Sequence, residues 1–286
     1  MILMTRFLLL VWGCLALALP GRAAEAAAFH QGKGLTAQLV TDVSIVRPGE
    51  TLQLGLWIQH EPDYHTYWQN PGLAGVPTKL NPKLPAGFQT GAMLYPPPDK
   101  VKMAAIRVHG YEHDVLVALP VTVPAGQADG PLTIPVEATW MCCRRTCNPG
   151  LAQLSITITV GQSRRADPEW QPKFEALQSA QPPALEGWTL TATRFEKEVE
   201  LVARPPAGLP LPEAPQFFSS DNLICSHPVQ NWQKDGTGYR VRLALSDFLP
   251  EDQTQLRGLL FGQGSWLADS KAPYASIKVP VAPGKP

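Results

Sequence analysis

Three cysteines stand close together at Cys142, Cys143 and Cys147, in the segment Thr139-Trp140-Met141-Cys142-Cys143-Arg144-Arg145-Thr146-Cys147-Asn148-Pro149-Gly150. Such a cluster offers thiol-disulfide exchange, soft-metal binding or a plain structural bridge. On one uninterrupted strand Cys143 and Cys147 would hold their Cα atoms about 13 Å apart, at about 3.3 Å per residue, whereas a disulfide needs roughly 4.4 to 6.8 Å. If these two pair, the chain must therefore turn at Arg144 to Thr146, with Asn148-Pro149-Gly150 following, and the sulfurs would meet at the rim of a domain. Pairing of the adjacent Cys142 and Cys143 is the strained option. Arg144 and Arg145 lie inside the loop, and positive charge beside a thiol favours the thiolate that attacks disulfides. A structural bridge stays open beside the exchange site, since it is the commoner state of neighbouring cysteines in an exported protein.

Export is itself an expectation from the first residues. Arg6 precedes the apolar run Phe7 to Leu19, and small residues follow at Ala23, Ala24, Ala26, Ala27 and Ala28. This is the pattern of a signal peptide over residues 1–28, removed after one of the alanines. The run is short for a bilayer, which takes about 20 apolar residues. Nothing after it is hydrophobic enough for a second span, so no membrane segment is expected in the mature chain. The 24 basic and 24 acidic residues balance, which leaves no net field to attract nucleic acid or an anionic membrane surface.

The elements that must carry the cysteines read as β-structure. Leu35 to Val46 partly alternates apolar and polar residues, and Thr51 to Gln59 does so cleanly, with Leu52, Leu54, Leu56 and Ile58 on one face. Asp114 to Val123, Leu132 to Trp140 and Leu151 to Val160 are further strand candidates. Short strands punctuated by proline and glycine, with almost no helical periodicity, predict an all-β antiparallel sandwich. Between them His60 to Pro77 is unusually aromatic. It is either a rigid corner under the sheet edge or a cover in which His65, Tyr67 or Trp68 shields the cysteine pair. Arg107 to Glu112 is a hairpin end that could border the same site.

Gly161 to Gln181 is rich in polar residues and proline and predicts a linker with a short helix from Pro168 to Ala180. Strand-like segments then recur at Trp188 to Thr193, Val199 to Ala203, Tyr239 to Leu245, Leu256 to Phe261 and Tyr274 to Val279. The last residues, 282–286, are expected to be disordered. Cys225 stands alone in this half, as a buried small hydrophobe, a partner for Cys142, a metal ligand with His227, or a free thiol.

His65-Thr66-Tyr67-Trp68-Gln69-Asn70-Pro71-Gly72, Leu84-Pro85-Ala86-Gly87-Phe88, Tyr95-Pro96-Pro97-Pro98 and His109-Gly110-Tyr111-Glu112 occur in that order. They are followed by Trp140-x-x-Cys143-x-x-x-Cys147-x-Pro149. The series resembles the amino-terminal periplasmic domain of DsbD-type thiol:disulfide interchange proteins, and within them the ScsB-like branch associated with copper tolerance. The resemblance implies an immunoglobulin-like sandwich over residues 29–161 with Cys143 and Cys147 as its redox pair. Cys147, two residues before Pro149, is then the cysteine expected to form mixed disulfides. The polar, proline-rich stretch is then a linker at 162–184, and the half after it, 185–281, also resembles the immunoglobulin-like sandwich that follows the cysteine domain in ScsB-like proteins. Cys142 departs from the family pattern, as an extra thiol that could scramble exchange or bind a soft metal.

Full-length members of that family continue into membrane helices and a thioredoxin-like domain, which this sequence lacks. The resemblance therefore implies a separate donor, a membrane electron-transfer protein of the DsbD or CcdA kind or a thioredoxin-like periplasmic protein. Oxidised periplasmic proteins would be the clients, and no cofactor would be needed. Two other readings stand beside it. One is a copper-binding module built on Cys142, Cys143, Cys147 and a histidine. The other is a non-catalytic interaction module with structural bridges only. His65, His109, His113 and His227 have no serine elbow or metalloprotease spacing near them, so hydrolase and transferase chemistry finds no support.

Overall fold

The computed structural model describes residues 27–103, 105–268 and 272–284. Residues 1–26, which hold nearly all of the expected signal peptide, lie outside the described residues. In the first half the strands are β1 (Phe29–Gly32), β2 (Leu35–Thr41), β3 (Val43–Val46), β4 (Thr51–His60), β5 (Thr66–Gly72), β6 (Lys79–Pro82), β7 (Gln89–Thr90), β8 (Asp99–Met103), β9 (Ile106–Tyr111), β10 (Val115–Thr122), β11 (Gly130–Cys143), β12 (Cys147–Val160) and β13 (Arg165–Ala166). One helix among the described residues, α1 (Gln171–Ser179), leads to the second half. Its strands are β14 (Thr189–Arg194), β15 (Glu198–Arg204), β16 (Glu213–Ser219), β17 (Gln233–Asp235), β18 (Gly238–Ala244), β19 (Gln255–Gln263) and β20 (Tyr274–Pro283).

The fold is all-β and immunoglobulin-like, with predominantly antiparallel sheets. In the first half the sheet β1-β2-β4-β10-β7 faces the sheet β13-β3-β12-β11-β6 across one core. The alternation in β4 does what it predicts: Leu52, Leu54, Leu56 and Ile58 are fully buried between the sheets. On the outer face Gly55 leaves room for α1, because a Cβ there would stand 2.7 Å from the Phe174 ring. Phe174 and Leu177 of α1, with Trp170 before it, cover Val40, Leu116 and Ala118, so the segment expected as a linker is packed on the sheet. In the second half all seven strands form one sheet, ordered β16-β19-β20-β14-β15-β18-β17. It curls round a second core that includes Val199, Leu201, Phe217, Val241, Leu256, Leu260, Trp266 and Ile277.

Two expectations are corrected and one is refined. The stretch 35–46, expected as one strand, is two strands in opposite sheets. The chain crosses over at Asp42, whose carboxylate accepts the Gln53 N–H at 2.7 Å and pairs with Arg164 at 2.8 Å. The aromatic stretch 60–77, read as a rigid corner or a cover, contains β5, which with β9 and β8 forms a separate three-stranded sheet. The tail expected to be disordered from 282 is strand as far as Pro283, because Ala282 and Pro283 lie beside Thr193 and Arg194 in a parallel pairing. Gly284 then donates to the Arg194 carbonyl at 2.7 Å, and residues 285–286 lie outside the described residues.

Candidate redox site

β11 and β12 form a hairpin of two 14-residue strands in unbroken register, ending on the facing pair Cys143 and Cys147. Arg144, Arg145 and Thr146 make the turn, and a disulfide joins the two cysteines. The turn that the spacing demanded is thus the tip of the hairpin. The two sulfurs have unequal surroundings. Cys143 is fully buried, among Tyr67, Val101 and Val108, with Met103, Ile106 and Met141 packed against them. Cys147 is exposed.

The three-stranded sheet β5-β9-β8 is the lid over Cys143. It is fastened to the hairpin by a backbone pair: Cys143 N–H donates to the His65 carbonyl and His65 N–H to the Cys143 carbonyl, each at 3.0 Å. Two residues on, the Tyr67 hydroxyl donates to Cys143 Sγ at 3.0 Å, while Cys147 Sγ lies 3.9 Å away and Met103 Sδ 3.2 Å away. His65 Nε2 stands 3.3 Å from the same oxygen, so when Tyr67 gives its proton to sulfur, His65 Nε2–H is the donor to Tyr67. Burial pushes the Tyr67 phenol up to about 12, helped by the nearby Cys142. The group therefore stays a proton donor at neutral pH. Burial also lowers the His65 imidazole below its ordinary value. Gly75 keeps the ring in place: with φ +114°, it lies where any Cβ would meet the Tyr67 ring.

Of the aromatic residues expected to cover the pair, His65 and Tyr67 do so and Trp68 does not. Neighbouring residues of a strand point to opposite sides, and Trp68 is buried in the sandwich core. His109 is also away from the sulfurs. Its Nδ1 donates to the Asn70 carbonyl at 3.2 Å, and its ring packs 4.9 Å from Phe218 of the second half. Arg144 does not sit against the sulfurs as expected but reaches Asp63 at 2.5 Å, on the exposed side of the turn. Asp63 adopts φ 67°, a left-handed conformation that aspartate tolerates better than most residues.

The other thiols stand apart from this arrangement. Cys142 points into the sandwich core and is 1% exposed. Burial, and secondarily the charge of Glu61, pushes its thiol up to about 12, so it is neither an attacking thiolate nor a third sulfur beside Cys143. Cys225 is half-buried and, like Cys142, free, so the two do not pair. Among the described residues no group of three or more His, Cys, Asp or Glu side chains is arranged to hold a metal ion. Cys142 packs in the sandwich core while Cys143 packs under the lid, so the two adjacent thiols face different sides of β11. Met103 and Met141 are the residues beside the pair that the sequence did not single out. Neither has a local signal, because a methionine next to a sulfur site looks the same in sequence as one in a core.

Residues 34–158 match the family described as thiol:disulfide interchange protein DsbD, N-terminal. No curated protein matches the chain. Among solved structures, the N-terminal periplasmic domain of ScsB from Proteus mirabilis shares the fold with a TM-score of 0.66 at 13% identity, over 90% of this chain and 98% of that one. Spo0M, a sporulation control protein from Bacillus subtilis, aligns over 86% of this chain and 90% of its own at 9% identity. Its TM-score of 0.23 is too low to bear on this protein. Residues 34–158 thus match the N-terminal domain of a thiol:disulfide interchange family and carry a Cys143–Cys147 bridge at the tip of their hairpin, and the chain shares the fold of the ScsB periplasmic domain.

Proposed function

We propose that this protein is a periplasmic carrier of electrons, taking them from a reduced partner through the Cys143–Cys147 pair and passing them to oxidised periplasmic proteins. The donor is a membrane electron-transfer protein of the DsbD or CcdA kind or a thioredoxin-like periplasmic protein. Residues 29–161 form the redox sandwich, 162–184 the connection and 185–281 a second sandwich. The observation that carries this reading is the inequality of the two sulfurs, one open to solvent and the other buried under a hydrogen-bond donor.

The exchange runs through Cys147. A partner thiolate attacks Cys147 Sγ, the intermolecular S–S bond forms, and the Cys143–Cys147 bond breaks with Cys143 leaving as thiolate. Tyr67 O–H is already aimed at that sulfur, 3.0 Å away, and a hydrogen bond to the developing charge favours its departure. The partner's second thiolate then attacks the partner sulfur of the mixed disulfide and releases Cys147. The partner leaves oxidised, and this protein holds two electrons more as a dithiol once both sulfurs have taken up protons. The same steps in reverse order reduce a client disulfide.

The test is the reduction potential of the purified protein beside that of Cys143→Ala. A reversible two-electron couple in the parent that vanishes in the variant supports the reading. A bridge that resists thioredoxin-like reductants, with a potential below about −300 mV, would make it a structural staple instead.

A further inference from the structure

Beside the reactive sulfur, one edge of the hairpin has no strand partner among the described residues. The peptide groups of Cys143 are engaged with His65, on the side away from β12. In an antiparallel ladder the two members of a facing pair turn their N–H and C=O the same way, both toward each other or both outward. Cys147, the register partner of Cys143, therefore turns its own N–H and C=O away from β11. The register continues without a shift, so Pro149, Leu151 and Gln153 do likewise. The strand beyond β12 is β3, which pairs with it only at Thr159 and Val160. Among the described residues no strand pairs with Cys147 to Gln153 on that side.

We propose that this edge receives the extended segment next to the reactive cysteine of the exchange partner, which adds to β12 as a short extra strand while its sulfur is bonded to Cys147. The inference rests on the exchange reading above and names how the partner is held. A mixed disulfide ties the partner's cysteine to Cys147 Sγ, so the partner's backbone must run beside that of Cys147, where an N–H and a C=O have no strand partner. Open strand edges pair readily with another chain, through main-chain bonds that are indifferent to side-chain identity. One site can then serve both a donor and several clients. Pro149 has no N–H to give, which interrupts the donor row between Cys147 and Leu151 and keeps the added strand weakly held. The exposed side chains of Cys147, Pro149 and Leu151, the last 60% exposed, offer it a small apolar strip. At about 3.3 Å per residue, a segment of about five residues covers Cys147 to Leu151.

The experiment uses the full chain with Cys143→Ala and Cys225→Ser, its Cys147 first converted to the mixed disulfide with thionitrobenzoate; the single thiolate of thioredoxin whose second active-site cysteine is replaced by serine then attacks Cys147 Sγ and displaces thionitrobenzoate. Amide hydrogen exchange is then read residue by residue in the trapped complex and in the unreacted variant. The amides of Cys147 and Leu151 are expected to slow at least tenfold on trapping, with Thr157 unchanged. A trapped complex in which Cys147 and Leu151 exchange as in the free protein overturns the added strand while leaving the exchange reading intact. Failure to trap any mixed disulfide overturns both. Independently, Leu151→Pro removes one outward N–H without touching the β11 ladder. It should lower the ratio of the thioredoxin rate to the dithiothreitol rate for opening the bridge about tenfold, and an unchanged ratio counts against the edge.

Discussion

Tyr67 has one proton to give and three sulfur atoms near it. Cys143 Sγ is the nearest at 3.0 Å, and it is the one that must carry negative charge when the bridge opens. A hydrogen bond to a charged group contributes about 1.5 to 3 kcal/mol, which corresponds to roughly 10- to 100-fold in rate. Tyr67→Phe keeps the ring and removes only the donor. It is expected to slow opening of the bridge by dithiothreitol by that factor and to raise the Cys143 thiol pKa in the reduced protein. A variant matching the parent in both would mean that the phenol only fills space. Tyr67 could be singled out in the sequence as one of several aromatics near Trp68, but its partner could not. Tyr67 and Cys143 are 76 positions apart, and no local pattern encodes a contact over that distance.

The element that presents the bridge is a hairpin, and its straightness near the tip depends on one glycine. Trp140 and Gly150 face each other across β11 and β12. A Cβ on Gly150 would lie 2.2 Å from Trp140 Nε1, so the indole lies over the glycine and shields its backbone, an aromatic cover for a strand glycine. Trp140 is 4% exposed and its ring also meets His30 at 5.5 Å, which leaves it little room to move. Gly150→Ala should therefore lower stability by about 1 to 3 kcal/mol, as overpacking does. Urea unfolding followed by tryptophan fluorescence would measure this, and a midpoint equal to the parent's would show that the indole can step aside. The hairpin itself was legible, since Leu132 to Trp140 and Leu151 to Val160 alternate clearly. Its extension to the cysteines was not, because Cys142-Cys143 breaks the alternation with two like residues and Asn148-Pro149-Gly150 carries turn chemistry rather than a strand pattern.

Across the whole molecule the lid is held from both sides, by the hairpin through His65 and by the second half through β5 and β9. Asn70 Nδ2 donates to the Ser219 carbonyl at 2.8 Å and also to that of Asp221, and Tyr274 O–H donates to the Pro98 carbonyl at 3.0 Å. His109 sits in this junction between Trp68 and Phe218 and is 3% exposed. Its imidazole is held down to about 4, chiefly by burial and also by the charge of Lys100, with the Asn70 carbonyl opposing the shift. The folded value lies below the unfolded 6.5, so the unfolded chain takes up the proton first. Stability is complete above pH 6.5 and drains away as pH falls toward 4, by up to about 3 kcal/mol from this group. Denaturant unfolding at pH 7 and pH 4.5 should show the loss, and His109→Asn should shrink it. An equal loss in the variant would move the acid sensitivity to another group, the half-buried His60 first, whose imidazole desolvation also holds down to about 4.

What the sequence alone determined was the all-β class, the main strand set and the need for a turn between Cys143 and Cys147 if they pair; that these two are the pair was implied by the family resemblance. Period-two alternation and residue spacing are local properties, and a chain cannot bury Leu52, Leu54, Leu56 and Ile58 together in any other extended form. Only the tertiary structure decided which sulfur is hidden and which is open. It also decided that Cys142 turns inward, that Tyr67 rather than Trp68 meets the bridge, and that the edge of β12 from Cys147 to Gln153 has no strand partner among the described residues. Each of these depends on which face or edge a residue turns toward a segment distant in the chain. That choice is made by packing between elements and not by the residues beside it.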